Sequence, residues 1–464
     1  MITPSQAFQI DGKIFNHGSE DLTIGSLDLI PSDGKKWRIR SVGSPPQNID
    51  AHQQAQLQFS ITAPPDAAIT RPYFNRPNDQ QLYYELANQR YRNLPFAPYP
   101  LRARARLIYH GVPFELEQNL PVTVGPAISI TVSPSAGALP ISAKSFGFSC
   151  SIHSNVAGPA QGKLRLQLPP GWRSNPRESR FRIARSGGDQ TVGFSISPRM
   201  IQPTVYTIRA GAYYQGHTYT EGYRLAGYAG LPSYPYYRVA DYRAVGVDAI
   251  IAPGLKIAFL PGTGDSVPQA LNSLGQDVHL LSPSDLLRGN LSAFDAIVLG
   301  TRAYAVRDDL RTTNFRLLDY VRKGGVLVVQ YNLEHFDRSY GPYPLTLGSS
   351  PEKVVDENSQ VRLLDPANPV FTWPNKITVA DFEHWVEERG HGFPRIWDAH
   401  YHPLLETHDP GQDPQKGGLL VARYGKGFYV YDALALYRQL PAGVPGAFRL
   451  LANLVSLGRN PKWN

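Results

Sequence analysis

The chain has 464 residues, 42% hydrophobic and 18% charged, a globular composition too long for one core and sized for roughly three domains. Its formal net charge is +8, yet the basic residues stand singly, as Arg102, Arg104 and Arg106 do. No Lys/Arg block of the kind that tracks a phosphate backbone argues for nucleic acid, the single cysteine, Cys150, excludes an internal disulfide framework and a cysteine-based zinc site, and no apolar run approaches the about 18 residues that span a bilayer.

In chain order, Met1-Ile2-Thr3-Pro4 has neither a basic n-region nor an apolar h-region, which read literally makes a soluble, cytoplasmic chain. Residues 1–127 read as a β-sandwich. Alternating runs such as 56–61 and 103–109 are separated by Pro, Gly and Asn clusters, and Tyr109-His110-Gly111-Val112 is a hairpin signal. A polar, aromatic loop over 70–100, with Tyr83, Tyr84 and Tyr91, interrupts the pattern as a lid or a docking surface. Residues 128–232 read as a second, immunoglobulin-like sandwich, with strands at 128–132, 163–168 and 205–210 and the turn Pro169-Pro170-Gly171-Trp172. Cys150 falls in an alternating run and is expected in a packed strand. A Tyr/Pro-rich stretch, 233–253, is expected to be a linker and lead-in strand.

From residue 254 to 464 the pattern changes to alternating strand and helix. Strands are expected at 256–260, 277–281, 295–300 and 326–330, helices at 267–274 and 311–323, a hairpin across 424–426, and a closing helix at 445–457. Near-continuous apolar strands between helices specify a parallel sheet covered on both faces, that is, a three-layer α/β domain. Ligands bind such sheets beyond the carboxyl ends of the strands. Three strand ends carry distinctive residues. Gly262-Thr263-Gly264-Asp265 lacks the third glycine of a dinucleotide fingerprint and the Lys-Ser/Thr of a P-loop, so it reads as a tight turn with Asp265 capping a helix. Arg302, after the third strand, suits a carboxylate, phosphate or planar polar group, or pairs with a nearby carboxylate. Gln330-Tyr331-Asn332 follows the fourth strand, where an amidotransferase-like domain would carry its nucleophile. Neither Ser nor Cys stands there.

His384, His391, His400, His402 and His408 cluster in sequence, but without H-E-x-x-H, and no metal ligand or cofactor is assigned. Asp381, Glu383, Glu388 and Asp398 lie among them and suggest glycosidic acid/base work, while Trp385, Trp397 and Tyr401 suit stacking on sugar rings.

These motifs carry a family resemblance. Gly262-Thr263-Gly264-Asp265, Arg302-Ala303-Tyr304, Gln330-Tyr331-Asn332, Gly341-Pro342-Tyr343-Pro344, Pro374-Asn375-Lys376-Ile377-Thr378, Trp385-Val386-Glu387-Glu388-Arg389 and Arg423-Tyr424-Gly425-Lys426-Gly427 resemble the C-terminal region of large multidomain PIG-L (LmbE-like) deacetylases. The zinc-dependent deacetylase domain of that family carries H-P-D-D and H-x-x-H, and neither occurs in this chain. The resemblance implies two immunoglobulin-like β-sandwiches followed by a flavodoxin-like, class I glutamine-amidotransferase-like domain without its cysteine. It implies a non-catalytic accessory region that binds carbohydrate or glycan, with an upstream or separately encoded deacetylase as partner and an extracytoplasmic setting. The expected cleft residues are Arg302, Tyr304, Gln330, Asn332, Tyr343, Lys376, Glu383, Trp385, Arg389 and Tyr431. The rival expectations are a carbohydrate-active hydrolase using carboxylates around 381–398, and a structural assembly protein.

Overall fold

The computed structural model describes residues 1–462 apart from 45, 77–80, 95–96, 231–232, 334–335 and 348–351. Strand outweighs helix, and the strands form several separate sheets. In the first unit Ala7–Phe15, Gln54–Thr62 and Arg38–Val42 make one sheet. Asn48–Ile49, Leu22–Pro31, Leu101–Tyr109 and Val112–Asn119 make the other. Period-two burial along Gln54–Thr62 sends Leu57, Phe59 and Ile61 into a core with Leu29, Trp37 and Leu101. The hairpin at 109–112 turns on two residues, with φ of 47° at His110 and 78° at Gly111, as a two-residue turn matched to strand twist requires. Of the 70–100 loop, residues 77–80 and 95–96 lie outside the described residues. Its described part leaves Leu82, Tyr83 and Tyr84 exposed.

The second unit packs the sheet Ile128–Ser133, Phe146–Ser154, Asp189–Ser197 and Arg173–Asn175 against a sheet of Ala136–Pro140, Asp241–Val247, Val205–Tyr214, Ala160–Gln167 and Glu178–Ile183. Cys150 is buried in this core, and burial pushes its thiol up to about 12. The stretch expected as linker and lead-in strand is instead part of this unit. Tyr234–Val239 pairs with Glu221–Ala226 in a hairpin, and Asp241–Val247 pairs antiparallel with Val205–Tyr214 and parallel with Ala136–Pro140. Pro235 is tolerated because that hairpin strand is an edge. Tyr242 and Ala244 supply the buried positions that its Tyr/Pro composition hides. The connector residues Leu231 and Pro232 lie outside the described residues.

The third unit is one seven-stranded sheet in the order Val278–Leu280, Ile257–Leu260, Ala296–Leu299, Val326–Gln330, Gly427–Asp432, Leu419–Tyr424, Tyr401–Pro403. The first five strands are parallel and the last two antiparallel. All residues of Ile257–Leu260, Ala296–Leu299 and Val326–Gln330 are buried, as strands covered on both faces must be. Chain direction across the sheet reverses between Ile257–Leu260 and Ala296–Leu299, so their carboxyl ends mark the place where open α/β sheets take ligands. Helices Asp308–Arg322 and Pro445–Ser456 contact the sheet. Among the described residues no helix is long and apolar enough to cross a membrane.

Second and third units share a core, because Ala138, Val245 and Val247 of the sandwich edge pack with the α/β residues. A buried amide pair locks the crossing. Asn453, on the closing helix, accepts from the Asn375 backbone N–H at 2.9 Å and its side chain at 2.8 Å, and donates to the carbonyls of Val370 and Asn375. Asn375 in turn exchanges two 2.8 Å bonds with the Ile250 backbone. Asn453→Ala leaves these groups without partners, and we expect a loss of about 3 kcal/mol. A clear fall in the urea midpoint of this unit checks it; an unchanged midpoint refutes the lock.

Candidate functional site

The crevice is built by two strand-end turns packed backbone to backbone. The Gly300 N–H bonds the Leu260 carbonyl at 2.8 Å and the Thr263 N–H bonds the Thr301 carbonyl at 2.9 Å. A Cβ on Gly262 would lie 2.1 Å from the Thr301 carbonyl oxygen and one on Gly300 2.6 Å from the Gly262 nitrogen, so glycine is required at both. Asp265 caps the following helix through Val267 at 3.1 Å, as its place in the turn implied. It also accepts from the Thr301 N–H at 3.0 Å and the Gln330 amide at 3.1 Å. Burial nonetheless pushes its carboxyl up.

Arg302 occupies the left-handed region, φ 53° and ψ 31°, between the strand Ala296–Leu299 and the short helix Ala303–Val306. Such strained strand-to-helix residues are where nucleophile elbows hold Ser or Cys. Gln330-Tyr331-Asn332, one strand later, has no residue at positive φ. Its N–H bonds the Tyr331 carbonyl at 2.8 Å, and its buried Nε has no protein partner among the described residues.

The Arg302 charge acts on Tyr331 and His391, and Glu388 and Tyr437 adjoin these two. The Tyr331 ring is 5.0 Å from that of Tyr437 and 5.8 Å from that of His391. Glu388 accepts from the Tyr437 hydroxyl at 2.5 Å and lies 3.5 Å from Arg438 and 3.9 Å from His391. Burial pushes the Tyr331 hydroxyl up, offset in part by the Arg302 guanidinium. Burial also pushes the His391 imidazole down, against the pull of Glu388, so at neutral pH it is an uncharged donor and acceptor. Two further non-glycine residues with positive φ, His384 (58°) and Glu387 (66°), shape the segment that presents Glu388. Buried Gln439 clamps that segment, accepting from the Val386 N–H at 2.8 Å and donating to the carbonyls of Val386 and Glu388. The set offers aromatic planes, the guanidiniums of Arg302 and Arg438, and both hydrogen-bond polarities.

The ten expected cleft residues divide. Arg302 is in the cluster, and exposed Glu383 opens the segment beside it. Tyr304, Gln330, Asn332 and Tyr431 are buried beneath the crevice, each 2% exposed or less. The Tyr304 hydroxyl donates to Asn314 at 2.7 Å, and that of Tyr431 donates to the Gly392 carbonyl at 3.0 Å. Trp385 and Arg389 are also buried, with Trp385 donating to the Asp381 carbonyl at 3.0 Å and Arg389 to that of Ser359 at 3.0 Å. Burial brings the Arg389 guanidinium down to about 10. These six hold the crevice from below instead of lining it. Tyr343 stacks on His400 at 4.2 Å and bonds the Arg423 carbonyl near the antiparallel edge. Lys376 is exposed, its carbonyl bonded by Arg449 of the closing helix.

Tyr331, His391 and Tyr437 were not among the expected cleft residues. Strand alternation was the available signal for Tyr331, since it puts 330 and 331 on opposite faces. Nothing in sequence marks Tyr437. The carboxylates of 381–398 divide: Asp381 accepts from the Thr378 N–H and pairs with Arg449, Asp398 bonds His400, and Glu388 joins the cluster with Glu387 beside it on the shared partner Arg438. Among the described residues no three His, Cys, Asp or Glu side chains are grouped closely enough to hold a metal ion.

No family model matches the chain, and no curated protein matches it. Among solved structures it is similar to the apo-form Calx CBD1 domain (11% identity, TM-score 0.17, covering 26% of this chain and 98% of that one). It is also similar to a C. elegans MSP family member, WR4 (11%, 0.16, 25% and 97%). A third likeness is to the cold-adapted beta-galactosidase from Rahnella sp. R3 (16%, 0.26, 44% and 31%).

Under the crevice, Asp432 is fully buried at the end of its strand, the cross-strand neighbour of Gln330. One of its oxygens accepts from the Leu434 N–H at 3.1 Å; the other has no partner among the described residues. Burial pushes this carboxyl up to about 7. With the folded value above the unfolded one, the folded state keeps a proton that the unfolded chain has released. Stability from this group is therefore complete below about pH 4 and falls, by about 1.4 kcal/mol per pH unit, until pH 7. Asp432→Asn should remove that component. The stability of the variant relative to wild type then climbs between pH 4.5 and 7 and levels above it, and a difference that stays flat across this range contradicts it.

Proposed function

We propose that the chain is a non-catalytic accessory region of a PIG-L/LmbE-like deacetylase, whose α/β unit binds carbohydrate or glycan at the strand-end crevice. In this reading the first two units are immunoglobulin-like sandwiches. The third is a glutamine-amidotransferase-like domain, supported by its parallel strands in chain order 2-1-3-4-5. The observation that carries the reading is Arg302. It stands at positive φ at a strand end, and a guanidinium cannot attack a carbonyl. What it does supply is a fork of donors beside two tyrosines, a neutral histidine and a carboxylate, a set suited to sugar hydroxyls and acetamido groups.

A second reading, a hydrolase, draws on Glu388, whose side chain is only 14% exposed and hydrogen-bonded to Tyr437. The neighbouring Glu387 shares Arg438 with Glu388, and ion-pairing of both carboxylates to that guanidinium favours binding.

Calorimetric titration with neutral N-acetylchito-oligosaccharides, alongside an acetate-release and glycosidase assay, separates the two. Binding without turnover is expected, weakened about tenfold or more in Arg302→Gln and only partly restored in Arg302→Lys, which lacks the planar fork. Turnover abolished by Glu388→Gln would establish the hydrolase instead. Absence of binding across the neutral sugars would remove the carbohydrate reading.

A further inference from the structure

The second sandwich carries a charge distribution that the crevice does not use. Residues 160–200 hold Lys163, Arg165, Arg173, Arg177, Arg180, Arg182, Arg185 and Arg199 against Glu178 and Asp189, a net of +6 out of +8 for the whole chain. Folding concentrates them further. Arg173 heads an edge strand of one sheet, Arg180 and Arg182 project from the edge strand of the other, and Arg177 sits on the turn that joins these edges. Lys163 is the cross-strand neighbour of Arg180, a like-charge placement that costs stability. Arg199 packs beside Gly171, next to Trp172. Glu178 is shared by Lys163 and Arg165. The six remaining arginines are exposed, and none has a carboxylate within 4 Å among the described residues. Between the two edges lies a groove of about 870 Å³ whose walls include Arg165, Arg173, Arg177 and Trp172.

We propose that this groove is a binding site for a carboxylated polysaccharide. Arg173 and Arg177 line the groove without a carboxylate partner among the described residues, Arg180 and Arg182 stand on the adjoining edge strand, and a polyanion relieves the repulsion among them. Seven of the eight cations are arginines, whose planar forks match carboxylates in a way that ammonium groups do not. Gln161 and Gln167 share the face of Lys163 and Arg165, Ser174 lines the groove, and these suit neutral hydroxyls. The groove's aromatic, Trp172, is 7% exposed and packed on Tyr206 at 4.7 Å, so it offers no platform for stacking unpaired bases. A glycan with a carboxylate on successive sugars fits this combination better than a nucleic acid does. The site is separate from the strand-end crevice and stands or falls without it.

The test titrates the full chain with polygalacturonate oligomers at fixed salt. Parallel titrations use a neutral oligosaccharide of equal length, single-stranded DNA of equal charge, and anionic phosphatidylglycerol vesicles. Polygalacturonate should bind, weaken as salt rises, and lose about tenfold or more in affinity in Arg173→Gln/Arg177→Gln, with the melting temperature unchanged. Arg38→Gln/Arg40→Gln, an equal loss of exposed charge on the first sandwich, should leave binding within about twofold. Arg302→Gln should leave it intact, which keeps this result distinct from that of the crevice. Tighter binding of DNA or vesicles, equal losses in both double variants, or no binding above the neutral control would overturn the proposal.

Discussion

The structure depends on one seam, the strand Asp241–Val247. On one side it is a rung of the second sandwich, hydrogen-bonded to Val205–Tyr214 and Ala136–Pro140; on the other its Val245 and Val247 belong to the core of the α/β unit. Arg243 reaches across to bond the Ala442 carbonyl, and a Cβ on Gly443 would lie 2.6 Å from the Val245 side chain. Two units that share buried apolar surface in this way do not move as beads on a string, because separating them would expose Val245 and Val247 together with the residues they cover. The Asn375–Asn453 pair then fixes the chain immediately after the seam, at Ile250, to the middle of the closing helix. The entry of the α/β unit is thereby set before its first strand begins.

Strain at the crevice follows from that rigidity. A non-glycine residue at positive φ costs of order 1–3 kcal/mol and persists only where surrounding structure over-determines it. At Arg302 that determination comes from the glycine-lined approach of two strand ends and from the bond to the Tyr331 carbonyl. At His384 and Glu387 it comes from the Gln439 amide, fully buried and bonded on both sides to the segment. Three strained residues thus belong to the two segments that bring Arg302 and Glu388 into one cluster.

The sequence was most legible where periodicity is strong. The parallel strands, the helix ending at Arg322, the closing helix and the 109–112 hairpin all fall within a few residues of their expected places, because apolar runs and turn residues mark them directly. It was least legible where composition and pairing disagree. The 233–253 stretch reads as a linker because Tyr and Pro dominate it, yet a partner strand distant in sequence makes it a rung. Arg302 stands at a strand end, as its sequence position implied. Tyr304, Gln330, Asn332, Tyr431, Trp385 and Arg389 share the same motifs but turn inward. A motif marks the neighbourhood of a crevice without distinguishing its lining from its support, and that distinction rests on side-chain direction.

Charge shows the same limit in reverse. Read along the chain, the arginines of 160–200 are isolated by one to several neutral residues and form no block, which argues against a polyanion partner. Strand geometry undoes that argument. Period two puts Arg180 and Arg182 on one face, antiparallel pairing sets Lys163 beside Arg180, and the turn at 176–177 brings Arg173 to the same edge. Spacing that dilutes charge in one dimension concentrates it in three. Coulomb repulsion among exposed groups fades over about 8 to 10 Å at physiological salt, a reach that spans neighbouring strands but not the length of the chain. The absence of a linear basic run therefore excludes only partners that read charge along a single helix or tail. A sandwich edge can present a polyanion site that no sequence window displays.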